Sequence, residues 1–203
     1  TLNPSSAASD VYKRQIDLLA LTRFSTNLEV SMPVNVSING FGRIGRNILR
    51  SAIENHRKDI KIVAINDLAP VETNAHLLKY DSIHGRFPGE IKIDGDTIDA
   101  GLGPIRVTHL RQPGELPWED VDVVLECTGI FTSKEQACIH LNSGARRVLV
   151  SAPSSDADKT IAYGVNHKFL EPDDIIVSNA SCTTNCMAPV AKVLDLSLIH
   201  ISE

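Results

Sequence analysis

Val34-Asn35-Val36-Ser37-Ile38-Asn39-Gly40-Phe41-Gly42-Arg43-Ile44-Gly45-Arg46 joins an alternating, β-rich run to three glycines spaced G-x-G-x-x-G. Ile48, Leu49, Ala52 and Ile53 follow at helical spacing within Asn47 to Asn55, which puts the glycines between a strand and a helix. Each glycine has a physical role in that setting. Gly40 permits the tight turn, Gly42 lets a pyrophosphate approach the backbone, and Gly45 lets the helix pack closely on the strand. The helix then points its unpaired N–H groups at phosphate. The pattern predicts the dinucleotide-binding part of an α/β, Rossmann-type, doubly wound parallel sheet.

The residues downstream extend this reading. A second strand, Ile60-Lys61-Ile62-Val63-Ala64-Ile65, ends in Asn66-Asp67. A carboxylate there holds the adenosine ribose hydroxyls and disfavours a 2′-phosphate, so Asp67 points to NAD rather than NADP. It lies farther from Gly40 than the usual spacing of about 20 residues. The extra length falls in the polar stretch around Asn55 to Asp59, where insertion is tolerated. Asp122 to Glu126 leads to Cys127-Thr128-Gly129, and Arg147 to Val150 leads to Ser151-Ala152-Pro153. These strand ends make Thr128 and Ser151 candidate walls of a cofactor crevice. Ser133 to Asn142 reads as a helix capped by Ser133, with Gly144 soon after its end. Strands alternating with helices in this way predict a parallel sheet covered on both faces. Glu90 to Leu110 reads as short strands with a hairpin turn at Asp94-Gly95, a β excursion from that sheet.

Composition narrows the function. The chain has 203 residues, enough for one full α/β domain with flanking material. A formal charge of −5 and only 4% aromatic residues argue against binding nucleic acid. No apolar stretch approaches about 18 residues, so no membrane span is predicted. Cys127, Cys138, Cys182 and Cys186 form no disulfide framework and suit a reducing cytoplasm. No metal site is predicted, because no His or Cys pair stands beside Cys182 and Cys186. Residues 1–31 lack the strand–helix alternation, and Ile16 to Leu21, interrupted by Asp17, is too brief for a secretory signal. Met32 stands just before the first strand as a natural start. Residues 1–31 are therefore expected to be a non-native or untranslated extension, 32–181 the nucleotide-binding domain, 182–195 the start of a second α+β domain, and 196–203 a non-native tail.

Ala180-Ser181-Cys182-Thr183-Thr184-Asn185-Cys186 carries the chemistry. It follows the apolar run Ile175-Ile176-Val177 and precedes the helix-like Met187 to Leu194, which places a thiol at a strand-to-helix junction. Unpaired N–H groups and the helix dipole there favour negative charge on sulfur, the nucleophilic form. A small buried core cysteine is the competing reading. Ser181, Thr183, Thr184 and Asn185 are poor core residues, however, and suit a pocket for an oxygen-rich substrate.

This heptapeptide resembles the active-site signature of phosphorylating glyceraldehyde-3-phosphate dehydrogenases. The resemblance extends from Val34 to Asp195 through Ile38 to Arg46, Leu78-Lys79-Tyr80-Asp81-Ser82, His84-Gly85, Thr128-Gly129, Ser151-Ala152-Pro153 and Gly164-Val165-Asn166-His167. It implies that Arg43 and Ile44 contact the cofactor pyrophosphate, that Asp67 holds the adenosine ribose, and that Arg111 and Ser151 stand around the cofactor. Ser181 and Thr183 would flank the substrate, with Thr183 helping to bind phosphate. Cys182 would add to the aldehyde of glyceraldehyde 3-phosphate. An NAD-dependent oxidation with inorganic phosphate would then give 1,3-bisphosphoglycerate through a thiohemiacetal and a thioester. The resemblance also implies a glycolytic, cytoplasmic homotetramer.

One departure stands out. The family's general base is a histidine some way downstream of the cysteine, whereas His56, His76, His84, His109, His140 and His167 all precede Cys182. Only His200 follows, within the tail read as foreign. Ser5 to Gln15 and Leu196 to Glu203 resemble read-through of a cloning or sequencing adaptor. The expectation is a chain truncated after the cysteine motif and inactive by itself, since a missing catalytic partner commonly costs ~10² to 10⁴ in rate. Three other readings stay open: an erythrose-4-phosphate dehydrogenase, a non-catalytic NAD-binding module, and a redox sensor using Cys182 and Cys186. The last is disfavoured by helix geometry.

Overall fold

The computed structural model describes residues 32–198. The readings for 1–31 and for the end of the tail lie outside the described residues. The first strand, β1 (Val34–Asn39), feeds helix α1 (Arg43–Glu54), which returns to β2 (Ile60–Asn66). Helix α2 (Val71–Lys79) follows, then a small hairpin of β3 (Tyr80–Asp81) and β4 (Gly85–Arg86). Next come β5 (Lys92–Asp94), β6 (Thr97–Asp99) and β7 (Pro104–Thr108), then β8 (Val123–Glu126), helix α3 (Lys134–Asn142) and β9 (Arg147–Val150). The described chain ends with β10 (Lys159–Thr160), β11 (Ile176–Ser178) and helix α4 (Cys182–Leu198).

Nine strands form one sheet in the order β10-β11-β9-β8-β1-β2-β7-β6-β5. Strands from β10 to β7 in that order are parallel, and β6 and β5 add an antiparallel edge. The Glu90 to Leu110 segment is thus no excursion. Its hairpin turns at Gly95-Asp96 (Gly95 φ 52), one residue later than the expected Asp94-Gly95, and β7 pairs in parallel with β2 and carries the hairpin into the main sheet. A chain segment that can extend an existing hydrogen-bond ladder satisfies its own backbone groups by doing so.

Alternate strand residues go to opposite faces, as the two-residue period requires. Val123 and Leu125 of β8 pack with Val36, Ile38, Ile48 and Leu49, beneath α1. Val124, between them, packs instead with Trp118, Leu116 and Ala145. Helix α3 covers this second face, its Ala137 against Val148, Val150 and Ile176. Its start is well specified: the Ser133 side chain accepts from the Gln136 N–H, and the Gln136 side chain accepts from the Ser133 N–H. Both helices thereby clamp the sheet. Connections run one way from β1 to β2 and β7, and the other way through β8, β9 and β11, so the topological switch lies between β1 and β8.

Candidate functional site

At that switch the loops after β1, β2, β7 and β8 enclose a cleft of about 440 Å³. The glycine turn forms its floor. Gly40 has φ +90°, and a Cβ on it would stand 2.7 Å from the Thr128 nitrogen, so only glycine fits this crossing. A Cβ on Gly45 would lie 2.4 Å from the Gly40 oxygen, which lets α1 press against the turn. Gly42 is the reverse case: it lines the cleft, and no protein atom lies within 4 Å of where its Cβ would be. It is also the N-cap of α1 and provides no side-chain cap. The first N–H groups of that helix therefore lack the acceptor that Ser133 gives α3. An uncapped helix start beneath an open Cα fits a pyrophosphate, whose oxygens would supply the missing acceptors. Arg43 and Ile44 occupy the first helical positions, and Arg43 is exposed.

Asp67 leaves the end of β2 and reaches back to the turn. One carboxylate oxygen accepts from the Phe41 N–H at 2.8 Å, the other from the Ala69 N–H at 2.9 Å. It is a turn residue and a cleft residue at once, because each oxygen can accept a second hydrogen bond. Arg111 lines one side and Thr128 the other. Ser151 lies one strand further on, at the end of β9, and is not among the lining residues. Its side chain acts on the Cys127 thiol. Burial pushes that thiol up to about 12, Ser151 opposes the rise, and the charge of Glu126 adds to it. A cysteine in the cleft wall is therefore inert.

The second cysteine region is exposed. Cys182 is the first residue of α4, after β11 and the turn Asn179-Ala180-Ser181. Ser181 caps the helix, its hydroxyl accepting from the Thr184 N–H at 2.9 Å, and Asn185 ties the turn with bonds to the Asn179 and Ser181 carbonyls. Ala180 sits at φ +58°, a left-handed conformation that an alanine adopts under strain. Among the described residues the Cys182 sulfur has one hydrogen-bonding neighbour, the Thr183 hydroxyl at 4.0 Å. Cys186, one turn later, is also exposed and free. Helix α4 runs without a break through residues 195 and 196. Because β1 and β11 are parallel strands of one sheet, the glycine turn and the thiol open on the same edge. Three strand spacings separate them, about 14 Å.

Residues 34–134 match the family described as the NAD binding domain of glyceraldehyde 3-phosphate dehydrogenase. The similarity extends past that domain: the chain is 66% identical over 166 residues to a glyceraldehyde-3-phosphate dehydrogenase of Xanthobacter flavus, which covers 81% of this chain and 50% of the relative. This chain belongs to the glyceraldehyde-3-phosphate dehydrogenase family. The Cereibacter sphaeroides enzyme of that name is 64% identical, covering 80% of this chain and 49% of its own, and the Pseudomonas aeruginosa enzyme is 53% identical, covering 82% and 51%. The chain spans about half the length of the curated relatives it matches. The family's NAD-binding domain and the cleft coincide at Gly40, Gly42, Asp67, Arg111 and Thr128. The sequence reading missed Asn39, Asn66, Gln112 and Phe131, which line the same cleft. Asparagines at the ends of two adjacent apolar strands were the available signal for the first two.

Proposed function

We propose that the protein is the cofactor-binding part of an enzyme that oxidises glyceraldehyde 3-phosphate with NAD and inorganic phosphate, giving 1,3-bisphosphoglycerate. The observation that carries this reading is the exposed Cys182 at a helix start, on the same sheet edge as the glycine cleft. Cys182 thiolate adds to the aldehyde carbon: the carbon–sulfur bond forms as the carbonyl π bond breaks. The oxygen takes up a proton to give a thiohemiacetal, and releases it to solvent when the hydride leaves and the carbonyl reforms. NAD, when bound, supplies the acceptor for the hydride that leaves that carbon. Sulfur then holds the substrate as a thioester, and departs as thiolate when a phosphate oxygen attacks the acyl carbon. In this reading the Thr183 hydroxyl, which stands 4.0 Å from the sulfur, donates to a phosphate oxygen of the substrate. The Ser181 hydroxyl, already accepting from Thr184, chiefly fixes the helix start on which the sulfur stands. Gly42 and the open start of α1 hold the pyrophosphate, with Asp67 and Arg111 at the adenosine side. This reading carries with it the cytoplasmic homotetramer that the family resemblance implies.

The test is a chimera that joins this chain to the second half of the Xanthobacter flavus relative, assayed by NADH absorbance with glyceraldehyde 3-phosphate and phosphate. Cys182→Ser should lower the rate by on the order of 10⁴-fold. A chimera that keeps its full rate with serine at this position overturns the assignment.

A further inference from the structure

Four residues at the carboxyl ends of β8, β1, β2 and β7 stand directly opposite one another: Glu126 with Asn39, Asn39 with Asn66, and Asn66 with Thr108. Their side chains are bonded in series. Asn39 Nδ2 donates to Glu126 Oε2 at 2.6 Å, Asn66 Nδ2 to Asn39 Oδ1 at 2.8 Å, and Thr108 Oγ1 to Asn66 Oδ1 at 2.9 Å. The row continues off the sheet into α3. His140 Nε2 lies 2.9 Å from Glu126 Oε2, and Trp118 Nε1 lies 2.9 Å from His140 Nδ1. The Glu126 and His140 side chains are both fully buried.

The donors fix one arrangement. An indole N–H only donates, so His140 Nδ1 accepts and its proton sits on Nε2, which donates to Glu126. The other Glu126 oxygen accepts from the Thr128 N–H at 2.8 Å and from the Thr128 hydroxyl. Both carboxylate oxygens thus have two donors each. Asn66 is equally saturated: besides its row partners it accepts from the Leu110 N–H and donates to the Leu110 carbonyl, each at 2.9 Å. Thr128 and Leu110 belong to the two loops that face each other across the cleft. A network with every group satisfied has few alternative geometries.

We propose that His140, Glu126, Asn39 and Asn66 are positioning residues for the cofactor cleft, a single hydrogen-bonded row that ties α3 to both of its walls. His140 holds the carboxylate, the carboxylate holds the Thr128 wall, and the asparagines carry the constraint to the Leu110 wall. The proposal rests on the cleft being the NAD site and is independent of the aldehyde chemistry.

The test uses the whole chain and follows the Thr128 and Leu110 amides and the indole N–H of its single tryptophan by NMR, before and during titration with NAD. His140→Leu breaks both bonds, whereas His140→Gln can still accept from Trp118 and donate to Glu126. Val148→Ala weakens the adjacent apolar cluster without touching the row. The row predicts that His140→Leu shifts the Thr128 and Leu110 amides, leaves them exchanging faster with solvent, and raises the Kd for NAD about tenfold. His140→Gln should restore the amides and bring Kd within about threefold, while Val148→Ala leaves Kd unchanged. If His140→Leu and His140→Gln behave alike, or Leu110 does not respond, or Kd follows stability across all three variants, the proposal is overturned. If the unaltered chain binds NAD and a bulky Gly42→Leu does not abolish binding, the cleft itself is misassigned, and the positioning role fails with it.

Discussion

The glycine turn after β1 and the cysteine turn after β11 are the same device, a parallel strand delivering the chain into a helix start, built in opposite ways. At the first, a left-handed backbone is occupied by glycine, Gly40 at φ +90°, and its Cα packs against the Cys127–Thr128 backbone. At the second, a left-handed backbone is occupied by Ala180 at φ +58°, and the residues that follow face outward. The helix starts differ as well. Helix α1 has no side-chain cap, whereas α4 has its own in Ser181. An uncapped start on a rigid, glycine-floored turn receives a ligand; a self-capped start on a strained turn presents a side chain. Under the proposed function, this difference divides holding the cofactor from reacting with the substrate.

The largest expected contrast is in thiol reactivity. Cys127, buried in the cleft wall and pushed from 9.0 up to about 12, should react with iodoacetamide at least on the order of 10³-fold more slowly than an ordinary exposed thiol, and Cys182 should label readily. Peptide mapping after timed alkylation checks this, and comparable labelling at Cys127 would mean that the wall opens. Next is Gly40→Ala. A Cβ within 2.9 Å of the Cys127–Thr128 backbone, on a left-handed residue, should cost about 3 kcal/mol or more in urea unfolding and abolish NAD binding. A smaller loss would show that the glycine junction yields.

The third prediction concerns charge near the glycine junction. Burial pulls the Asp81 carboxyl up, but the His84 and Ile83 N–H groups and the His84 imidazole outweigh it and hold it at about 2. A folded value below the unfolded one, about 3.9, stabilises by roughly 2 kcal/mol above pH ~4, and this is lost as pH falls through 2. Asp81→Asn should therefore be the less stable protein at pH 6, with the difference vanishing near pH 2. Equal acid sensitivity of the two proteins would remove this carboxylate from the account. The smallest effect is the mirror of the second: Ala180→Gly relieves the strained conformation but adds unfolded-state freedom, so the unfolding midpoint should move by less than the equivalent of about 1 kcal/mol. Equal penalties at Gly40 and Ala180 would erase the distinction between the two junctions.

Much of this was legible in the chain itself. The glycine spacing, Asp67 at the end of β2, the Ser133 cap and the strand-to-helix setting of Cys182 all rest on local patterns, and local patterns survive folding. The helix after the glycines begins at Arg43, one turn ahead of Ile48 and Leu49, and Ile44 in that first turn already packs against the core beneath it. The β excursion was misread for a non-local reason. Hairpin signals report turns and alternation, but which ladder a strand joins depends on partners more than 40 residues away, such as Ala64 opposite Arg106. Least legible was the row from Trp118 to Thr108. Glu126 looks like the polar end of an apolar strand and His140 like one residue on a short helix. Nothing in either segment shows that they meet 14 positions apart across two layers.

Both margins of the nine-stranded sheet end in very short strands that begin with lysine, Lys92 in β5 and Lys159 in β10. A lysine on a two- or three-residue rim offers an incoming strand little to template on and a charge to desolvate. The sheet is broad, but it is poorly suited to growing sideways into fibrils. That protection comes from the antiparallel hairpin at one rim and the clipped strand at the other, and is independent of anything bound in the cleft.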